Sequence, residues 1–112
     1  MRIYRTDIEG VAIFRISGTV RRDEALMLLH FICRAPGSIR GSFILDFRGV
    51  EHVDYHVFEL FEKWFSRRSG VVLSGMSDYL LEIFAFVHGS SDVIPIFSDW
   101  RQALHFLMTE RG

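Results

Sequence analysis

The chain has 112 residues, enough for one domain with one core and too few for two. Its formal net charge is -1, from 13 basic and 14 acidic residues, so no global field draws it to nucleic acid. A single cysteine, Cys33, excludes an internal disulfide and a Cys-rich zinc site. Hydrophobic residues make up 49% of the chain and 11 residues are Phe, which predicts a Phe-built core with apolar surface left for a partner. No apolar run reaches the ~18 residues of a membrane span. The start, MRIYRTDIEG, lacks the apolar stretch of a signal peptide, so the expected location is cytoplasmic, with no direct membrane insertion.

IYRTDIEG and VAIFRISG read as two short strands joined by a hairpin turn at Glu9-Gly10. Val11 and Ile13 lie on one face of the second strand and Phe14 and Ile16 on the other, which predicts a strand covered on both sides. In TVRRDEALMLLHFICRAPG, the stretch Arg21 to Glu24 forms a solvated start, and Ala25, Leu28, Leu29 and Ile32 share one helical face. Pro36-Gly37 stops this helix, and Cys33 reads as a structural thiol on its buried side. SFILDFRG reads as a compact strand ending in a glycine turn. VFELFEKWFSRRSG follows as a helix with a wide stripe of Val57, Phe58, Leu60, Phe61, Trp64 and Phe65. Arg67-Arg68 and then Gly70 close it.

VVLSG is a short buried strand. SDYLLEIFAFVHG is a helix capped by Ser or Asp and ended by Gly89. Its LEIFAF run has more large apolar residues than one stripe needs, which hints at a second covered face and a homodimer. DVIPIFSD holds an edge strand, because Pro95 has no N–H to give a neighbour. SDWRQALHFLMTERG closes the chain as a capped helix with Trp100, Leu104 and Leu107 on one side. The order is β-β-α-β-α-β-α-β-α. It predicts a single α/β domain over 1–112, with an N-terminal β-hairpin, a mixed, mostly parallel sheet and about four helices.

The densest chemistry lies in VEHVDYHVFEL, residues 50–60, where a strand hands over to a helix. His52, Asp54 and His56 are spaced so that a continuous strand would bring them together on a metal, but the junction breaks the alternation between Asp54 and His56. A His beside an Asp also suits acid–base work. No activated nucleophile or Gly-rich phosphate loop accompanies it, so the expectation is no enzyme, no metal and no cofactor. A structural reading makes Asp54 the cap of the following helix, accepting from the N–H of His56 or Val57. A binding reading makes Tyr55, His56 and Phe58 a docking surface, since Tyr is a favoured interface anchor.

FILDFRGVEHVD resembles the central signature of STAS domains, the family of anti-sigma-factor antagonists and transporter-associated modules. Asp46, Gly49, Val50 and Asp54 fall on its marks: an Asp ending the strand, Gly-Val, then a second Asp before the helix. FRISGTV, VVLSGMS and VIPIFSDWRQALHFL resemble further parts of the family pattern, so the resemblance covers roughly the whole chain. It implies a STAS-like (SpoIIAA-like) fold and a regulatory protein–protein role. The implied partner is a kinase-like anti-sigma factor or, alternatively, a transporter subunit. Asp46, Asp54, Tyr55, His56 and Phe58 are the implied partner-binding residues. In the antagonist branch a Ser or Thr after the second Asp is the phosphorylated switch. Here Tyr55, His56 and Val57 stand in that place, and no Ser or Thr occurs between Ser42 and Ser66, so no phosphoacceptor of that kind exists.

Overall fold

The computed structural model describes the backbone of residues 1–34, 42–65, 70–88 and 94–111, with the side chains of Cys33, Arg34, His88, Glu110 and Arg111 left aside. The expectations placed on Pro36-Gly37, Arg67-Arg68, Gly89 and the Cys33 thiol lie outside the described residues. The elements are β1 (Arg2–Ile8), β2 (Val11–Val20), a 3-10 turn (Arg22–Glu24), α1 (Ala25–Arg34), β3 (Phe43–Val53), α2 (Tyr55–Phe65), β4 (Val71–Ser74), α3 (Asp78–His88), β5 (Ile96–Phe97) and α4 (Trp100–Arg111). The sheet order is β1-β2-β3-β4-β5. β1 and β2 form the antiparallel hairpin, and β2, β3, β4 and β5 run parallel. Glu9 and Gly10 both take positive φ (53° and 78°), as a two-residue hairpin turn demands.

Strand alternation sends two sets of side chains to opposite faces. Ala12, Phe14 and Ile16 of β2, with Phe43, Leu45 and Phe47 of β3, face α1, α2 and α3 in the larger core. Val11 and Ile13, Ile44 and Val72 face α4, where Ala103 and Leu107 complete the smaller core. β2 is thus covered on both sides, as its apolar pattern requires. The larger core is held by aromatic pairs: Phe58 meets Phe84 edge-on with ring centroids 5.3 Å apart, and Phe14 meets Phe43 at 5.8 Å. Such pairs contribute about 0.5–1.5 kcal/mol each beyond the area they bury. β5 lies at the sheet edge, and Leu73 N–H of β4 donates to the Pro95 carbonyl (3.0 Å) just before it.

One boundary differs from the sequence reading. The strand expected to turn at Gly49 instead runs on to Val53. A register shift between Arg15 and Ser17 of β2 brings Ser17 opposite Gly49. A Cβ on Gly49 would lie 2.9 Å from the Ser17 Cβ. The glycine therefore serves a close approach of two strands at an irregularity, and the turn it suggests in sequence does not form.

Candidate docking site at the start of α2

β3 delivers the polar cluster to the end of the sheet, and α2 begins one residue after Asp54. The carboxylate of Asp54 accepts from the His56 N–H at 2.9 Å, and its own carbonyl accepts from the Val57 N–H at 2.8 Å. This is the capping role expected of it. The same Oδ1 lies 2.9 Å from His56 Nδ1, a hydrogen bond when that nitrogen carries the proton. The bond from the His56 N–H, reinforced by the His56 ring, holds the Asp54 carboxyl below the ordinary Asp value.

The two histidines turn to different partners. His56 faces Asp54, with its ring 4.0 Å from that of Tyr55. His52 Nδ1 lies 2.6 Å from the Tyr79 hydroxyl, and the two rings stack at 5.6 Å. Among the described residues no three His, Cys, Asp or Glu side chains gather where they could hold a metal.

Between the start of α2 and α3 lies an open groove of about 410 Å³, lined by His52, Asp54, Tyr55, Tyr79, Ile83 and Phe86 among others. Tyr55 is 45% exposed, Tyr79 50% and Phe86 83%. Tyr79 was not singled out in sequence, and Phe86 only as part of the LEIFAF run. The signal was present in the apolar surplus of the LEIFAF run: Phe84 points into the core, while Phe86 stands in solvent.

Two of the expected contact residues are buried. Phe58 is fully buried, because in α2 it shares the inward stripe with Val57, Phe61 and Phe65, and it holds the helix to the core. Asp46 is also buried, and it lies apart from the groove. Its Oδ1 accepts from the Ser74 hydroxyl at 3.1 Å, and burial pushes its carboxyl above the ordinary value. Tyr55 and His56 remain at the helix start, beside the cap.

No family model matches the chain, and no curated protein matches it. Solved structures do. The unphosphorylated anti-sigma factor antagonist SpoIIAA superposes with a TM-score of 0.65 at 14% identity, over 96% of this chain and 98% of that one. A sulfate transporter family protein from Wolinella succinogenes gives 0.67 at 24% identity, over 93% and 89%. The murine Solute Carrier 26 family member A9 anion transporter gives 0.73 at 19% identity over 93% of this chain, which spans only 18% of the transporter. At these identities the likeness is one of fold. The protein has the STAS-like, SpoIIAA-like architecture: a five-stranded, mostly parallel sheet with four helices among the described residues.

Proposed function

We propose that this domain is a non-enzymatic docking module that works as the anti-sigma-factor antagonists do, by contact with a protein partner at the start of α2. The observation that carries this reading is the exposed aromatic set Tyr55, Tyr79 and Phe86 around a helix start pinned by Asp54. Exposed aromatic rings beside a fixed backbone suit an interface, because they bury much area at little cost in side-chain freedom. Tyr55 stands where the antagonists carry their switchable hydroxyl, so the contact is constitutive or controlled by other means than Ser/Thr phosphorylation there. The protein acts in the cytoplasm without nucleic acid; among the described residues no helix is long and apolar enough to cross a membrane.

A second reading, an accessory subunit of a membrane transporter, draws on the likeness to the two transporter structures. Affinity capture of the tagged protein from its own cells, with mass spectrometry of the captured chains, chooses between them. A kinase-like anti-sigma factor lost in Tyr55→Ala supports the first reading, and a permease or its ATPase lost in that variant supports the second. Capture of the same partner undiminished in both Tyr55→Ala and Phe86→Ala removes the contact from this groove. A second copy of the chain is a further occupant, read by sedimentation at rising concentration: dimer formation abolished by Phe86→Ser places the self-contact on α3.

A further inference from the structure

The face of the sheet that α4 covers is closed at one end and open at the other. The row Ile13, Ile44 and Val72 runs across three neighbouring strands and is buried under α4. Two residues further along the same face, the next row reads Tyr4, Arg15, Asp46 and Ser74 across β1, β2, β3 and β4. This row lies toward the carboxyl ends of the parallel strands, the end at which open α/β sheets most often bind ligands. Here the face opens into a cavity of about 330 Å³, lined by Tyr4, Arg15, Ser17, Asp46, Arg48 and Trp100 among others. That volume is at the lower end of small-molecule sites, which run to roughly 300–1,000 Å³.

We propose that this cavity is a binding site for a small anion with a flat apolar body, such as an aromatic phosphate or carboxylate. Two guanidiniums supply the charge. Arg15 reaches over the Trp100 ring at 5.4 Å. Arg48 is exposed at the cavity, where its guanidinium charge acts on Asp46 without a hydrogen bond or ion pair at contact distance among the described residues. The only carboxylate in the lining is Asp46, and it is already satisfied: it accepts from the Ser74 hydroxyl and from the Arg48 backbone N–H. Burial pushes its carboxyl above the ordinary value, while the charges of Arg15 and Arg48 on either side act the other way, so the two guanidiniums outnumber the one carboxylate at the cavity. The start of α4 is not the source of attraction, since Asp99 caps it by accepting from the Arg101 N–H at 2.8 Å. A planar guanidinium pairs bidentately with phosphate or carboxylate. The Tyr4 ring, 59% exposed, gives a flat apolar body its wall, and the Trp100 indole, with Arg15 and Arg101 over its ring at 5.4 Å and 5.1 Å, lines the cavity and holds the Arg15 guanidinium in place. The site is on a different face of the sheet from the larger core that carries α2 and α3, so it is independent of the docking groove.

Phenyl phosphate is the probe, followed through the indole N–H resonances of the full chain. Trp100 reports the cavity, and Trp64, packed against the other core, is the internal control. The expected result is a saturable shift of the Trp100 resonance with Trp64 unmoved. Affinity should fall about tenfold or more in Arg48→Gln and in Arg15→Gln, the loss expected for a charge-assisted hydrogen bond. Phenol and inorganic phosphate should each bind at least about tenfold more weakly than phenyl phosphate, since each lacks one half of the recognised chemistry. No saturation, affinity for phenol or inorganic phosphate equal to that for phenyl phosphate, or affinity unchanged in both arginine variants overturns the proposal. The intact Trp64 resonance verifies that each variant is folded.

Discussion

Asp46 and Asp54 belong to one continuous segment, and the fold pushes their carboxyls in opposite directions. Asp54 is held low by the N–H of His56, so its ionised form stabilises the folded state. That contribution is present above the ordinary Asp value of 3.8 and is lost as pH falls through the lower folded value. Asp54→Ala should cost about 0.5–2 kcal/mol at neutral pH, and the deficit should shrink on acidification. Asp46 is raised by burial, so its stabilising contribution is present below 3.8 and lost as pH rises through the higher folded value. Asp46→Asn should therefore gain stability relative to the native chain as pH climbs from acid to neutral. Urea unfolding of both variants across that range gives two difference curves, which must slope in opposite senses; parallel slopes would refute this assignment.

The helices divide their aromatic residues between core and solvent, and the sizes of mutational effects should follow. Phe58 of α2 is fully buried against Phe47, Phe61 and Phe84, so Phe58→Ala should cost about 3–5 kcal/mol. Phe86 of α3 is 83% exposed, and Phe86→Ala should change stability by no more than about 0.5 kcal/mol while weakening partner capture. Equal losses in thermal or chemical unfolding would mean that Phe86 is covered in solution. The turn from β4 toward α3 depends on Gly75. Its φ of 72° is left-handed, and a Cβ there would collide with the Asp46 carboxylate and crowd the Arg48 N–H. Gly75→Ala should cost at least about 1–2 kcal/mol from the backbone conformation alone, measured by denaturant midpoint.

One sheet serves both cores, so neither can be lost while the other persists. Val11 and Ile13 face α4 from the same strand that sends Ala12, Phe14 and Ile16 toward the other helices. Melting either side would leave β2 and β3 with a bare apolar face. The molecule should accordingly unfold in a single cooperative step, as small domains commonly do. Trp64 reports the larger core and Trp100 the smaller. The variants Trp64→Phe and Trp100→Phe, each followed by the remaining indole, should agree with circular dichroism on the shape and midpoint of their own transition. An indole signal that moves ahead of the dichroism in either variant would show the two faces melting separately.

Residue patterns alone settled much of this protein. Alternation in VAIFRI placed β2 between two covered faces, helical stripes placed α1 and α2 against the sheet, and Asp54 was legible as a cap because its oxygen and the N–H two residues on are neighbours in the chain. Local spacing determines all of these. The tertiary structure decided what depends on residues distant in sequence. Gly49 looked like a turn because the strand beside it, with Ser17 pressing on it, is not visible from its own neighbours. Phe58 looked like an exposed contact because a residue type does not tell which side of a wide apolar stripe meets the core. His52 found Tyr79, and Arg15 found Trp100, across gaps no periodicity encodes. The open groove and the arginine-lined cavity exist only because the sheet, α3 and α4 end where they do, and a void is a property of the assembled surfaces around it.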